Sequence, residues 1–248
     1  MFRKALIVLT VALILLLIYS MVPMRKKQER RSGAVKERWV ILVHGVMRSP
    51  ASMSKIEAAL REKGFSTVNF GYSSRREPVK TVTKRLHREI MKINERDIES
   101  ISFVTHSFGT IVVRYYLAHH TVKKLGRFVM IAPPNKGSEW ARILGRLSLY
   151  HWAMGIAGLK VQDVEKSIPK IMAPPPCEFG VIAGGTGTRI GINPMLRGDD
   201  DGTVTVEETR LEGMKDFVQV RGQHSLLLVQ KKVSDNVISF LEEGAFQH

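Results

Sequence analysis

Short apolar runs alternate along this chain with amphipathic stretches of helical length. Six runs have the length and composition of strands: Trp39–Val43, Ser66–Phe70, Ile101–Thr105, Arg127–Ile131, Phe179–Ala183 and Phe217–Arg221. A continuous apolar run such as the first is typical of a strand that is covered on both faces. Strands separated by helix-length segments predict right-handed βαβ units and a mostly parallel sheet.

The amphipathic stretches predict helices on both faces of this sheet. Four are clear from their spacing: Ser54–Lys63, Pro78–Ile93, about Thr110–His119, and Leu226–Glu242. The first can be capped by Ser52 or Ser54 and ended by Gly64. The predicted fold class is therefore α/β, with about six strands in a single domain over residues 39–248.

The chain begins with an apolar segment, an uncharged run of 18 residues from Ala5 to Val22. As a helix it is about 27 Å long, sufficient for a bilayer core. A cleaved secretory signal and a buried core helix are the alternatives, but the run lacks an Ala-x-Ala cleavage pattern and a polar face. We predict a transmembrane anchor over residues 1–24 and a basic juxtamembrane tether over residues 25–38.

The charge of the chain leads to predictions about its partners and its cellular location. The formal net charge of +15 favours contact with an anionic partner such as a lipid surface. Lysines and arginines are more numerous after the apolar run than before it, so the positive-inside rule favours a cytoplasmic catalytic domain. An anchor that exports its domain is the ordinary alternative. The expected location is a membrane crossed once, which in a bacterium is the inner membrane.

A candidate nucleophile follows the third predicted strand, which runs into Thr105-His106-Ser107-Phe108-Gly109 and then a helix. A sharp strand-to-helix turn lifts a serine hydroxyl above the sheet and needs small residues on either side. Gly109 satisfies the second small position, whereas Thr105 stands where glycine is usual. Ser107 is the candidate nucleophile; the alternative is a serine that merely caps the helix.

Several motifs in chain order resemble the α/β-hydrolase family of lipases and esterases, and in particular minimal bacterial lipases and the inositol-deacylase-like group. They are Val43-His44-Gly45-Val46, His106–Gly109 with Arg114–Leu117, the turn Ala132–Ser138, Asp201–Val204, and His224. The resemblance covers residues 39–243. It implies the α/β-hydrolase fold and a serine hydrolase that cleaves carboxylic esters, including lipids, through an acyl-enzyme; the predicted anchor would hold this enzyme at a membrane.

A serine nucleophile needs an imidazole to take its proton and a carboxylate to orient that imidazole. Of eight histidines, His224 lies in a short turn after the last predicted strand, where this fold places the base. His151 stays open as an alternative. Three consecutive aspartates follow the fifth strand, and the family pattern selects Asp201, with Asp200 as the runner-up. Their consecutive spacing is not that of an EF-hand calcium loop.

The resemblance also implies where the oxyanion binds, and an apolar stretch suggests where the substrate binds. Backbone N–H groups of Val46 and Phe108 are the expected oxyanion donors. His44, Trp152 and Met154 are candidate substrate contacts. The apolar segment 147–159 is either a lid, an acyl-chain wall or a surface helix.

Other chemistries are less well supported by the sequence. Triad chemistry requires no cofactor, no Cys/His cluster has zinc spacing, and the single cysteine, Cys177, excludes an intramolecular disulfide. The alternatives are an acyltransferase or head-group-specific lipid deacylase with the same triad, and a non-catalytic basic membrane scaffold that uses the cations of residues 75–92. Nucleic acid is not an expected partner, because that segment lacks interleaved aromatics. The oligomeric state is left open.

Overall fold

The computed structural model describes residues 36–144 and 173–248. Six strands form one wholly parallel sheet in the spatial order β2-β1-β3-β4-β5-β6. The strands are β1 (Glu37–Val43), β2 (Ser66–Phe70), β3 (Ile98–His106), β4 (Leu125–Ile131), β5 (Phe179–Gly185) and β6 (Asp216–Arg221). All six predicted strands are confirmed. The first begins at Glu37, inside the predicted tether.

Helices alternate with the strands along the chain. They are α1 (Ser54–Glu62), α2 (Val79–Asn94), α3 (Phe108–His119), α4 (Glu139–Leu144), α5 (Val206–Thr209) and α6 (Lys231–Glu243), with short 3₁₀ turns at Pro50–Met53 and Leu226–Val229. The prediction of one continuous final helix is wrong, because Gln230 is extended and separates the 3₁₀ turn from α6. The predicted serine cap of α1 is also wrong, since Met53 holds the cap position without a side-chain hydrogen bond.

Apolar side chains cover both faces of the sheet, as the continuous apolar runs predict. In β1, Ile41 and Val43 belong to a core that includes α2 and α3, whereas Val40 and Leu42 belong to a second core that includes α1 and α6. Burying one such aliphatic side chain contributes about 1.5–3 kcal/mol. The sheet is therefore the middle layer of a three-layer α/β/α arrangement.

Parallel strands place the predicted site residues at one edge of the sheet. The loops that follow β1, β3, β5 and β6 all leave from the carboxyl ends of their strands, and ligands of open α/β sheets bind at this edge. These four loops carry His44, Ser107, Asp201 and His224.

Several predicted features lie outside the described residues. They are the anchor over residues 1–24, most of the tether over residues 25–38, His151, and the segment 147–159 with Trp152 and Met154. Within the described part of the chain, none of the helices combines the length and the apolar character that crossing a bilayer demands.

Candidate active site

Ser107 lies in a strained turn between β3 and α3. Its backbone has φ 53° and ψ −126°, a region that residues with a side chain rarely adopt. Hydrogen bonds on both sides hold this conformation. The Ser107 N–H donates to the Ile131 carbonyl of β4 at 2.9 Å, and the Thr110 N–H donates to the Ser107 carbonyl at 2.9 Å. The Ser107 hydroxyl does not cap α3, which contradicts the capping alternative.

The two positions flanking the serine are explained by packing. A methyl group at Gly109 would lie 2.3 Å from the Val43 carbonyl oxygen, so no larger residue fits there. Thr105 is fully buried, and its hydroxyl lies 2.7 Å from the hydroxyl of Thr110 in α3. Threonine therefore replaces the usual glycine at this position because its buried hydroxyl has a hydrogen-bond partner.

His224 and Asp201 form a buried hydrogen-bonded pair. The imidazole Nδ1 lies 2.6 Å from Asp201 Oδ2, and the His224 N–H donates to the Asp201 carbonyl at 2.8 Å. The other carboxylate oxygen accepts hydrogen bonds from the N–H groups of Thr203 and Val204 at 3.0 and 2.8 Å. Because a carboxylate accepts from Nδ1–H, the neutral imidazole presents Nε2 as an acceptor.

The neighbouring aspartates have other partners. Asp200 is fully buried, and its Oδ1 accepts hydrogen bonds from the N–H groups of Asn193 and Gly202 at 2.9 and 2.7 Å. Asp199 accepts from the N–H groups of Thr186 and Gly187. The geometry thus brings Asp201, and not the runner-up Asp200, to the imidazole.

His106 connects the serine turn to the His224 turn, a contact that the sequence did not reveal. Its ring is buried, and its Nε2–H donates to the His224 carbonyl at 3.1 Å. The centroids of the His106 and His224 rings are 4.7 Å apart. The residue before Ser107 therefore touches His224 directly. Among the described residues, no hydrogen bond yet joins the Ser107 hydroxyl to the His224 imidazole. Such bonds are often long in enzymes without substrate.

The loop after β1 packs directly against Ser107. A methyl group at Gly45 would lie 3.1 Å from Ser107 Cβ, so glycine permits this close approach. The N–H groups of Val46 and Phe108 make no hydrogen bond to any residue of the described ranges. These two N–H groups belong to the two segments that meet at this contact.

His44 supports this loop from inside. It is fully buried, its Nδ1–H donates to the Gly45 carbonyl at 2.8 Å, and its ring stacks on Tyr72 with centroids 4.4 Å apart. The Tyr72 hydroxyl donates to the His44 carbonyl at 2.8 Å. The prediction that His44 contacts substrate does not fit this burial, and its position is that of a loop support.

A buried arginine fixes the turn after β4. The Arg114 guanidinium donates to Asn135 Oδ1 at 3.0 Å, and the Asn135 amide donates to the Thr209 carbonyl at 2.7 Å. Thr209 ends α5, which begins directly after the Asp201 loop with a capping box between Thr205 and Glu208. This network links α3, the turn and the segment that carries Asp201.

A family model described as "Putative serine esterase (DUF676)" matches residues 34–138, a range that contains Ser107 and the loop after β1. No functionally curated protein matches the chain at a significant level.

Solved structures extend the likeness beyond this range. The mature lipase BlEst2 of Bacillus licheniformis has a TM-score of 0.66 at 17% identity, over 85% of this chain and 92% of that one. An esterase of Pyrococcus furiosus has a TM-score of 0.56 at 16% identity, over 84% and 83%. Phospholipase PlaB of Legionella pneumophila has a TM-score of 0.54 at 18% identity, over 70% of this chain and 45% of that one. At these identities the likeness establishes the fold, and the family match supplies the chemical class.

This chain is a serine ester hydrolase with the α/β-hydrolase fold. The match at residues 34–138 ends before the aspartate loop, so the esterase family model includes Ser107 but neither Asp201 nor His224.

Two buried histidines give this esterase a predictable pH dependence of stability. Burial lowers the pKa of His44 and brings that of His106 well below its ordinary value. Below about pH 6.5 the unfolded chain binds protons that the folded chain does not, so the free energy of unfolding falls as pH falls. The slope is up to about 1.4 kcal/mol per pH unit for each histidine. Urea unfolding between pH 7.5 and pH 5 measures it.

The variant His106→Gln keeps a donor at the Nε2 position but does not titrate, so we expect a shallower slope. A slope that His106→Gln leaves unchanged would contradict this account.

Proposed function

We propose that this protein is a membrane-anchored hydrolase of lipid-like carboxylic esters, with Ser107, His224 and Asp201 as its catalytic triad. The observation that carries the proposal is the buried His224–Asp201 pair held by His106 next to the strained Ser107 turn. A triad is recognised by such geometry and roles, whatever the fold.

In this mechanism the Ser107 hydroxyl attacks the ester carbonyl carbon while His224 Nε2 takes the hydroxyl proton. Asp201 orients the imidazole and stabilises its positive form. The negative charge that develops on the carbonyl oxygen is met by the N–H groups of Val46 and Phe108. One such donor is worth about 2.7–4 kcal/mol of barrier.

The intermediate collapses when the carbon–oxygen bond to the alcohol breaks and His224 returns its proton to the leaving oxygen. The acyl group then remains on Ser107 as an ester. A water molecule attacks that ester as His224 takes a proton from it, and the second collapse releases the carboxylic acid and restores the serine hydroxyl. The proposal requires Ser107 Oγ and His224 Nε2 to approach hydrogen-bond distance in the substrate complex.

Two kinds of observation support a lipid-like substrate. Two similar structures carry the names lipase and phospholipase. The uncharged run of residues 5–22 and the net charge of +15 would keep the enzyme at a membrane, where such esters are found.

We expect Ser107→Ala to lower kcat for short p-nitrophenyl esters by at least about 10⁴-fold, because it removes the nucleophile but leaves the fold. Ser234→Ala is the matched control: Ser234 has the same 7% exposure as Ser107 but lies in α6. A fluorophosphonate probe should label the wild type and Ser234→Ala but not Ser107→Ala. Undiminished turnover by Ser107→Ala would exclude this nucleophile.

The acid can be tested with a pair of neighbouring variants. Asp201→Asn should lower kcat by about 10⁴-fold, because an amide favours the wrong imidazole tautomer. Asp200→Asn preserves the acceptor for Asn193 and Gly202, and the Asp200 side chain has no described hydrogen bond to His224, so kcat should stay close to that of the wild type. Steady-state kinetics and circular dichroism on both variants decide the question; the opposite ranking would assign the acid to Asp200.

The anchor is tested by extraction of membranes with alkaline carbonate. We expect the full chain to stay in the pellet and the double variant Ile14→Arg, Leu16→Arg to be released, since each central arginine costs roughly 2.5–3.5 kcal/mol of insertion. The conservative pair Ile14→Leu, Leu16→Ile is the control. Release of the wild-type chain would exclude a span. With the expected cytoplasmic orientation in the bacterial inner membrane, trypsin added outside spheroplasts should not cut the tether.

A further inference from the structure

Exposed apolar side chains are concentrated around the candidate site. Seven large hydrophobic residues are exposed in the described ranges, and Met91 on α2 is the one that lies elsewhere. The other six lie on the loops that follow β1, β5 and β6, and we call them the apolar rim: Met47, Ile190, Ile192, Met195, Leu226 and Val229. Ile190 is 78% exposed. A cluster of this kind marks an interaction surface.

Contacts between the loops join the rim into one surface. The Arg48 guanidinium, next to Met47, donates to the Ser225 hydroxyl beside His224. A methyl group at Gly202 would lie 3.6 Å from Ile192 and 3.9 Å from Gln223, so the loops after β5 and β6 meet there. The rim is therefore continuous across the loops that hold the oxyanion donors, the aspartate and the histidine.

Cations accompany the apolar rim. They are Arg48, Arg189, Arg197, Arg221 and Lys232, all exposed. None of them forms an ion pair with a carboxylate of residues 36–144 or 173–248. Of the three aspartates in the loop after β5, Asp200 and Asp201 are fully buried, and the partly buried Asp199 accepts hydrogen bonds from Thr186, Gly187 and Gln219. The rim itself is consequently apolar and is bordered by positive charge.

The apolar character and the positive charge of the rim indicate which kind of partner binds there. A second copy of the chain in a two-fold contact would bring this positively charged patch against the same patch of its partner, which is repulsive. An anionic membrane surface offers acyl chains to the apolar side chains and negative headgroups to the cations. The charge complementarity therefore favours a lipid surface.

We propose that the apolar rim docks on an anionic lipid surface. The six side chains enter the boundary between headgroups and acyl chains, and the surrounding cations contact the headgroups. In this orientation the carboxyl edge of the sheet faces the bilayer, so an ester carried by the membrane reaches Ser107 without crossing bulk water. This last consequence rests on the proposed function; the docking itself does not.

Fluorescent labels in the full chain test the docking. In a Cys177→Ala background, single variants Ile192→Cys, Met195→Cys and Met91→Cys are labelled with nitrobenzoxadiazole. Each is reconstituted in vesicles of equal parts phosphatidylcholine and phosphatidylglycerol, or of phosphatidylcholine alone. We expect a blue shift and quenching by doxyl-labelled lipids at the two rim positions in the anionic vesicles, and neither at Met91, the exposed apolar control away from the rim.

Three outcomes would overturn the docking. The rim labels could behave like the Met91 label, they could shift equally in both kinds of vesicle, or their shift could depend on the protein-to-lipid ratio, which would indicate a second copy. Repeating the measurement with Ser107→Ala separates the two proposals. Insertion of the rim labels in that variant supports docking whatever becomes of the catalytic assignment.

The rates of hydrolysis of a membrane-borne ester and a soluble ester give the second test of the docking. The triple variant Ile190→Ser, Ile192→Ser, Met195→Ser should hydrolyse an ester carried in anionic vesicles about tenfold more slowly or worse, because three apolar contacts with lipid are lost. Its turnover of soluble p-nitrophenyl acetate should not change, and Met91→Ser should change neither rate. Equal loss on both substrates would show that the loop serves the fold or the chemistry and would overturn the docking. If the wild type hydrolyses neither ester, the proposed function fails while the labels still decide the docking.

Discussion

The close approach of the first turn of α3 to the end of β1 is the constraint on which the site depends. The backbone at Gly109 passes so near the Val43 and His44 carbonyls that a methyl group there would lie 2.3 and 2.7 Å from their oxygens. This contact sets the loop after β1 directly against the turn that carries Ser107. The strained backbone of Ser107 lies at the same crossing, as do the Val46 and Phe108 N–H groups, which have no hydrogen-bond partner within residues 36–144 and 173–248.

Around this crossing, buried polar side chains supply the hydrogen bonds to the backbone that regular secondary structure supplies elsewhere. The loops at the carboxyl edge have few ladder hydrogen bonds, so side chains satisfy their backbone groups instead. His106 binds the His224 carbonyl, Asp201 binds two successive N–H groups, and Asp200 binds the Asn193 N–H. Each of these residues is almost completely buried, and removing one leaves a backbone group without its partner.

Local pattern predicted the strands well because most of them are apolar runs bounded by turn residues. The choice of Ser107 needed only its place between a strand and a helix. The features that the sequence pattern did not predict depend on contacts between residues that are separated along the chain. The loop-supporting position of His44 comes from Tyr72, 28 residues away, and the His106 contact spans 118 residues. The break at Gln230 has a similar origin, since its side chain bonds the Arg221 carbonyl at the end of β6. The choice of Asp201 came from family resemblance, because the residues alone do not separate it from Asp200.

The aspartate loop is compatible with both proposed roles, that of a catalytic carboxylate and that of a lipid-facing surface. Its exposed side chains, Ile190, Ile192 and Met195, project from a backbone that is fixed from within by Asp199 and Asp200. Neither of these two carboxylates forms a hydrogen bond with the His224 imidazole in the described part of the chain. Asp201 is held by a different set of hydrogen bonds, from the Thr203 and Val204 N–H groups, and lies 2.6 Å from His224 Nδ1.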